Sequence, residues 1–363
     1  MVRRFCFKEG NRTMRRKAEK LIMGICCMAL VCAMTACSKT EEGNRAVTQT
    51  PEVTEAPVTE PTATPEPTAT PKPTATPEPT HAPAKNESVS IPKEYTKLNV
   101  GFSGKVEYVE YATKDYFGDG ADITKHAYVY LPPNYDETKQ YNVLYMMHGI
   151  GGDEKEWGIH NAFSEVKLSM DNMIYYGDIE PFIIVVPNGR SSAAHADTNS
   201  DTNAFYKFGQ ELRNDLIPYI DANYATYAEY SEEGYDLTAA RDHRAMAGLS
   251  MGAMQTINIG LCESLDIMSW FGVFSAGFTS YEAPVIAEKL QDFEPYDIHY
   301  IYNICGSGDG GSMGVGNASF GGLAELTDKV VEGENILRQT VSGGHEMKVW
   351  KLGFYNFAQI VFK

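Results

Sequence analysis

Hydrophobic and polar side chains follow two different patterns after residue 90. Residues 105–111 and 126–131 alternate polar with apolar or aromatic side chains, which predicts half-buried antiparallel strands. Other runs are apolar throughout, as is typical of strands that are buried on both faces of a sheet. These apolar runs cover residues 143–147, 182–186, 245–249, 271–274 and 300–304, and a shorter strand is predicted at 337–341.

Amphipathic helices are predicted between these strands. Residues 208–220 carry an apolar residue at every fourth position, and residues 347–361 form a second apolar helix face. Apolar strands that alternate with such helices predict an α/β fold, in which a mostly parallel central sheet has helices on both faces. The two alternating strands then form an antiparallel edge. A ligand is expected at the carboxyl ends of the parallel strands.

The first 37 residues differ in composition from this domain. A basic stretch at 14–17 is followed by an apolar run over 21–34, a layout typical of an export signal peptide. The apolar run is short for a transmembrane helix. Residues 34–37 resemble the lipobox of bacterial lipoproteins, which predicts that Cys37 is lipidated and anchors the protein to a membrane. A signal peptide that is simply cleaved is the alternative.

Residues 38–89 form a linker that is rich in proline and threonine. Ten of the 18 prolines lie between Pro51 and Pro83. Such a segment cannot bury a core, so we expect it to be extended and disordered. It would hold the single domain of residues 90–363 away from the anchor, which favours an exported protein at the bacterial cell surface.

Charge and cysteine content exclude several classes of function. The formal net charge is −17, and a surface of that sign repels phosphate backbones, so we expect no nucleic-acid partner. Five of the seven cysteines lie within the first 37 residues, which leaves Cys262 and Cys305 for the domain. The domain is therefore neither a disulfide scaffold nor a cysteine-rich metal module.

The sequence Gly-Leu-Ser-Met-Gly at 248–252 matches the G-x-S-x-G nucleophile elbow. A predicted strand precedes it and a helix-compatible stretch at 251–262 follows it, which is the setting that the elbow requires. The flanking glycines leave room for a sharp turn. This motif predicts Ser250 as a nucleophile. Without partners, Ser250 would be only a small residue in a tight turn.

A serine hydroxyl needs a base to take its proton, and the base needs an acid to orient it. In hydrolases with this elbow the chain order is Ser, then Asp or Glu, then His. His345 follows the strand predicted at 337–341 and is the predicted base, because His299 lies at the wrong end of its strand. Asp309 follows the strand at 300–304 on a glycine-rich loop and is the preferred acid. Glu346 and Asp328 remain alternative acids.

The negative charge that develops on an attacked carbonyl oxygen needs hydrogen-bond donors. This type of site takes one donor from the backbone N–H after the nucleophile and another from an earlier loop at a strand end. The glycine-rich loop at 148–152 follows the strand at 143–147. We therefore predict the backbone amides of Met251 and Ile150 as the oxyanion hole.

Four motifs stand out in the domain, the segments 130–135, 141–152, 247–252 and 343–350. Taken together, they resemble the esterase D-like family of α/β-hydrolases, and most closely the bacterial feruloyl and acetyl-xylan esterases of carbohydrate esterase family one. The resemblance covers roughly residues 100–363 and departs from the family at Ala253, where glycine is usual. It implies an α/β-hydrolase fold and a serine esterase without metal or cofactor, in which Ser250, His345 and Asp309 form the triad.

An export signal, an anchor and a long linker favour an extracellular ester substrate, with feruloyl or acetyl groups on xylan as the leading case. Trp157 and Trp270 are candidates for stacking on an aromatic acyl group or a sugar, although both also suit a core. A siderophore esterase or a surface acyltransferase would use the same triad. A noncatalytic carbohydrate-binding module is the alternative from another class. The oligomeric state has no signature in the sequence.

Overall fold

A computed structural model describes residues 87–193, 202–231 and 234–363 of the chain. All of the predicted strands lie within these ranges. The predicted signal peptide with Cys37, and the linker up to residue 86, lie outside the described residues. Their export, lipidation and spacer roles therefore stay predictions.

Eight strands form one mixed sheet in the order β1-β2-β4-β3-β7-β8-β9-β10. The first two strands pair antiparallel with each other, β2 pairs antiparallel with β4, and the remaining neighbours are parallel. A two-stranded hairpin, β5–β6, lies outside this sheet. The strands are β1 Lys105–Lys114, β2 Asp122–Leu131, β3 Asn142–Met147, β4 Phe182–Pro187, β5 Glu229–Ser231, β6 Gly234–Asp236, β7 Arg244–Leu249, β8 Trp270–Phe274, β9 Tyr300–Gly306 and β10 Ile336–Val341.

Helices connect the strands and cover both faces of the sheet. Two of the predicted helices contain π-helical turns, Leu212–Leu216 and Thr256–Leu261. The α-helices are α1 Glu165–Tyr176, α2 Phe208–Glu211, α3 Ile217–Asn223, α4 Met251–Gln255, α5 Ala283–Leu290, α6 Gly310–Phe320 and α7 Met347–Ala358; 3₁₀ turns occupy Lys93–Thr96, Thr202–Lys207, Arg241–His243, Gln291–Phe293 and Leu323–Glu325.

The core has one layer on each side of the sheet. On one side, α1 and α7 pack against the inward-facing residues of the central strands. On the other side, the apolar face of the helical segment from α2 to α3 is fully buried, together with α5. Strands β4, β7 and β8 are buried along their whole length, which explains why their sequences are apolar apart from Arg244, whose buried guanidinium pairs with Asp221. The predicted α/β-hydrolase fold is confirmed.

Strand order places the nucleophile elbow at the middle of the sheet. Strand β7 lies between β3 and β8, so the residue after Leu249 emerges at the centre of the carboxyl edge. The loops after β3 and β9 open at the same edge, because these strands run parallel to β7. Within the described ranges, none of the helices has the length and apolar character needed to cross a membrane.

Candidate active site

Ser250 occupies a strained turn between β7 and α4. Its φ of 53° and ψ of −112° lie in a region that a residue with a side chain rarely adopts. The flanking glycines make the turn possible. A Cβ on Gly248 would lie 2.5 Å from the carbonyl oxygen of Gly252, and a Cβ on Gly252 would lie 2.5 Å from the carbonyl oxygen of Met147. The geometry is that of a nucleophile elbow.

His345 and Asp309 complete a chain of hydrogen bonds that starts at Ser250. The Nε2 atom of His345 lies 3.0 Å from Ser250 Oγ, and its Nδ1 atom lies 2.7 Å from Asp309 Oδ2. A carboxylate can only accept, so Nδ1 carries the proton and Nε2 is left to accept from the serine hydroxyl. The structure thus brings the three predicted residues together in the arrangement that activates a serine.

The environment of Asp309 keeps its carboxyl ionised. Burial raises the pKa of this group, but hydrogen bonds from His345 and from the Ser312 backbone amide, with the attraction to His345, outweigh burial and hold the pKa below its ordinary value. The Ser312 hydroxyl also lies 3.3 Å from His345 Nδ1. An ionised carboxylate at this position stabilises the imidazolium that forms when His345 takes a proton.

The Gly149 carbonyl in the loop 148–152 is turned toward the core. His148 is fully buried; its Nε2 accepts from the Gly189 amide at 2.9 Å, so its Nδ1 carries the proton and donates to the Gly149 carbonyl at 2.8 Å. In a trans peptide the N–H points opposite to the C=O. The Ile150 N–H is therefore turned away from the core. Because a Cβ on Gly149 would lie 3.3 Å from Ser250 Cβ, that peptide lies beside the nucleophile.

Two charged side chains hold the ends of the same loop. Glu156 accepts from the Gly149 amide at 2.7 Å, and the buried Arg190 donates to the Gly152 carbonyl at 2.8 Å. Burial raises the pKa of the Glu156 carboxyl. These two contacts fix the backbone of the loop, and a fixed backbone N–H can donate to an oxyanion without reorganising during the reaction. This geometry supports the predicted role of Ile150, and that role stays a prediction, as does the role of the Met251 amide at the start of α4.

His148 gives the domain a pH dependence with a defined sign. Burial lowers the pKa of His148 to about 4, below its ordinary value of 6.5. The unfolded chain therefore binds one more proton between these values, so the free energy of unfolding falls as pH drops through this window, by about 3 kcal/mol in total. Urea unfolding of the wild type and His148→Gln from pH 7 to pH 4 measures this slope. We expect a flatter slope in the variant, and equal slopes would contradict the assignment.

Trp157 has the core role that the sequence left open, and the alternative hypothesis that it stacks on a ligand is wrong. Its side chain is 1% exposed, packs edge-on against Phe274, and donates from Nε1 to the Met147 carbonyl at 3.1 Å. The indole therefore packs in the core, binds the last residue of β3 and cannot stack on a ligand. The sequence identified an aromatic ring that could stack on an acyl group or a sugar, but the ring points into the core.

The prediction for Trp270 also fails for this site. Trp270 is the first residue of β8 and lies at the amino edge of the sheet, at the opposite end from Ser250. Its ring stacks on His299, and its Nε1 donates to the Asp242 carbonyl. It lines a cavity of about 660 Å³ at that edge. His299 pairs with Asp242 there, in agreement with the prediction that it lies at the wrong end of its strand to act as the base.

Several residues around Ser250 have no motif that would identify them. Phe278 is 81% exposed and lies in the loop after β8, where a Cβ on the preceding Gly277 would lie 2.9 Å from the Ser250 carbonyl oxygen. Its ring reaches the start of α6, since a Cβ on Gly311 would lie 2.8 Å from it.

Other residues near the site differ in how visible they were in the sequence. His148 lies within the recognised loop motif, so its position was visible but its contacts were not. Ser312 and Glu156 gave no sequence signal.

A family comparison agrees with the elbow and the fold. The sequence model of the family described as "Putative esterase" matches residues 122–279. The chain is 35% identical over 170 residues, 46% of its length, to endo-1,4-beta-xylanase Y of Acetivibrio thermocellus. It is 29% identical over 242 residues, 65% of its length, to endo-1,4-beta-xylanase/feruloyl esterase of Xylanibacter ruminicola. The matched regions span only 14% and 29% of these two relatives.

Solved structures show the same fold. The feruloyl esterase module from Clostridium thermocellum, crystallised as a mutant with sinapinate, superposes with a TM-score of 0.62 at 22% identity, covering 78% of this chain and 95% of that one. The ferulic acid esterase of Anaeromyces mucronatus gives a TM-score of 0.57 at 21% identity, covering 76% of this chain and 97% of that one. At these identities the likeness establishes the fold.

Proposed function

We propose that the chain is a member of the esterase family of α/β-hydrolases, similar to the feruloyl esterases, and that it is a serine carboxylic ester hydrolase. We propose further that it removes feruloyl or acetyl groups from a plant cell-wall polysaccharide such as xylan. One observation carries the activity: the hydrogen-bond chain from Ser250 through His345 to Asp309, which starts at a strained elbow.

The proposed reaction has two acyl-transfer steps. Ser250 Oγ attacks the ester carbonyl carbon while His345 Nε2 takes the hydroxyl proton, and the amides of Ile150 and Met251 hold the oxyanion. The carbonyl then re-forms, the bond to the alcohol breaks, and the alcohol leaves with the proton from His345. Water gives its proton to the same nitrogen and attacks the acyl-enzyme, which releases the acid and regenerates Ser250.

The surroundings of Ser250 favour an aromatic acyl group. The exposed ring of Phe278 lies between the elbow and the start of α6, where an acyl chain attached to Ser250 would pass. Ile150, which is 47% exposed, adds apolar surface on the side of the loop 148–152. An aromatic acid gains more from such contacts than an acetyl group does, because it covers more apolar area. Relatives named feruloyl esterase agree with this proposal.

We propose that the protein acts outside the cell. The signal-like residues 1–37, the lipobox-like Cys37 and the linker of residues 38–89 together suit an esterase that is tethered to a bacterial surface. A polymeric ester cannot enter a cell, so its hydrolase must be exported to reach it. Incorporation of labelled fatty acid into the wild type, and not into Cys37→Ala, would test the anchor.

Replacing Phe278 tests the acyl group. We expect Phe278→Ala to raise KM for methyl ferulate by about tenfold, because an exposed aromatic platform is lost, and to leave the hydrolysis of acetylated xylan within about twofold. Steady-state kinetics on both substrates measure the difference. Phe278→Leu is the matched control, since it keeps apolar contact and removes the ring. Equal changes in KM for both esters would contradict a site for an aromatic acyl group. If the wild type hydrolyses acetylated xylan and not methyl ferulate, the acetyl ester is the substrate.

A further inference from the structure

Four aromatic side chains form a continuous row on the antiparallel edge of the sheet. In the order His126, Tyr108, Tyr128 and His160, neighbouring ring centroids are 5.0, 4.7 and 5.3 Å apart. We call these four residues the aromatic row. His160 is exposed and Tyr108 is 50% exposed, whereas the other two are half-buried. Part of the row is therefore open to solvent.

Strand register places the row at the same end of the sheet as Ser250. Tyr108 of β1 lies directly opposite Tyr128 of β2, so both rings are on one face. Tyr128 in turn lies opposite Val186, the residue before the last in β4. Since β4 runs parallel to β3 and β3 runs parallel to β7, this position is at the carboxyl edge of the sheet.

The row contacts the segment that follows the predicted oxyanion loop. His160, at one end of the row, and Glu154, whose Oε1 lies 3.5 Å from the Tyr108 hydroxyl, both belong to the segment that follows the loop 148–152. Strand β2 is three positions from β7 in the sheet. At about 4.8 Å per strand, the row begins roughly 14 Å from the strand that carries Ser250. A ligand a few sugar units long would span that distance.

The chemistry of the row suits a neutral sugar chain. Aromatic faces pack against the C–H faces of sugar rings, and rim hydroxyl and imidazole groups supply hydrogen bonds. Carboxylates flank the row, because Glu110 Oε1 lies 3.7 Å from His126 Nδ1 and Glu154 approaches Tyr108. These carboxylates, together with the net charge of −17 of the whole chain, disfavour polyanions such as nucleic acids and uronic-acid chains.

We propose that the aromatic row binds the neutral sugar backbone of the polysaccharide whose ester group reaches Ser250. This inference rests on the proposed function and extends it from the acyl group to the polymer. The row gives the enzyme a contact that a small ester cannot use. It therefore raises the affinity for polymeric substrate without taking part in the chemistry.

Cross-strand aromatic pairs also stabilise antiparallel strands, and that role alone would give a different result. A structural row lowers the free energy of unfolding when it is truncated and affects small and polymeric substrates equally. A binding row changes the ratio between the two substrates. The ratio of kcat/KM values is therefore the readout, with thermal denaturation recorded alongside it.

Tyr108→Ala and His160→Ala truncate two rings on separate elements, one in an edge strand and one in an exposed loop. We expect each to raise KM for feruloylated xylo-oligosaccharides about fivefold to twentyfold and to leave kcat/KM for methyl ferulate within about twofold. Tyr108→Phe keeps the ring and should have a KM close to that of the wild type, because the Tyr108 hydroxyl is directed to Glu154 and the ring supplies the contact with the sugar. Tyr230→Ala, an exposed tyrosine on the separate β5–β6 hairpin, is the matched control.

Unchanged kinetics on the oligosaccharide, or equal losses on both substrates, would overturn the proposal. Titration of unsubstituted xylo-oligosaccharides into Ser250→Ala and into Ser250→Ala/Tyr108→Ala separates this proposal from the proposed function. If the oligosaccharide binding requires Tyr108 and the wild type hydrolyses no ester, the result would support the role of the aromatic row and reject the proposed esterase activity. Hydrolysis of methyl ferulate by the wild type, without oligosaccharide binding that requires Tyr108, would support the esterase and reject the role of the aromatic row.

Discussion

Replacing Ser250 by Ala is expected to lower kcat/KM for methyl ferulate by roughly three to six orders of magnitude and to leave the fold intact. The Ser250 Oγ is the atom that lies 3.0 Å from His345 Nε2, so the variant removes the nucleophile and the first hydrogen bond of the chain. Alanine keeps the Cβ that the elbow already accommodates. The residual rate comes from the oxyanion donors and substrate binding, which the substitution does not remove.

Steady-state hydrolysis, circular dichroism and thermal denaturation of the purified protein measure the two parts of this prediction. Ser342→Ala is a suitable control, because Ser342 is an exposed serine in the loop that leads to His345. A fluorophosphonate should add one label to the wild type and to Ser342→Ala, and none to Ser250→Ala. Near wild-type turnover by Ser250→Ala would exclude this residue as the nucleophile.

The strands could be predicted because their sequence patterns follow from burial. Runs such as 245–249 are apolar throughout since β7 is covered on both faces, and the elbow motif marks where that strand ends. The end of β1 was less visible. The strand continues to Lys114, three residues beyond its predicted end, because it stays paired with β2 and Thr113 hydrogen-bonds Asp215 across 102 residues of sequence. A contact of that separation leaves no local pattern.

Different kinds of site residue were visible in the sequence to different degrees. Asp309 and His345 follow predicted strands on glycine-containing loops, so parallel topology alone brings them to the edge where Ser250 lies. The ligand role of Trp157 failed because whether a ring points into the core or outward is a property of the tertiary structure, whereas Trp270 lies at the wrong edge of the sheet. His148 was missed for another reason, since it acts on the backbone of its own loop through a tautomer that the Gly189 amide fixes. The sequence gives the residue type of His148 but not the backbone groups that bind its ring.

The sequence left three candidates for the acid of the triad, and substitution of each one distinguishes them. Asp309→Asn is expected to lower kcat for methyl ferulate by about 10⁴, with KM nearly unchanged. An asparagine amide can donate to His345 Nδ1, which would leave the proton on Nε2, the atom that must accept from Ser250. Asp309 is nine-tenths buried and lies 2.7 Å from Nδ1, so no nearby water can take over its role without rearrangement.

Glu346→Gln and Asp328→Asn are the matched controls, because these residues were the alternative acids. The Glu346 carboxylate accepts from the Gly344 amide at 3.0 Å, a bond that the Gln oxygen can keep, and Asp328 is exposed. Both variants should retain kcat within about twofold, since neither removes a bond to the imidazole. Measurement of kcat for the three variants at one pH identifies the acid. A collapse of kcat in Glu346→Gln, with Asp309→Asn still active, would move the acid to the residue beside His345 and would require the loop to adopt a different geometry during turnover.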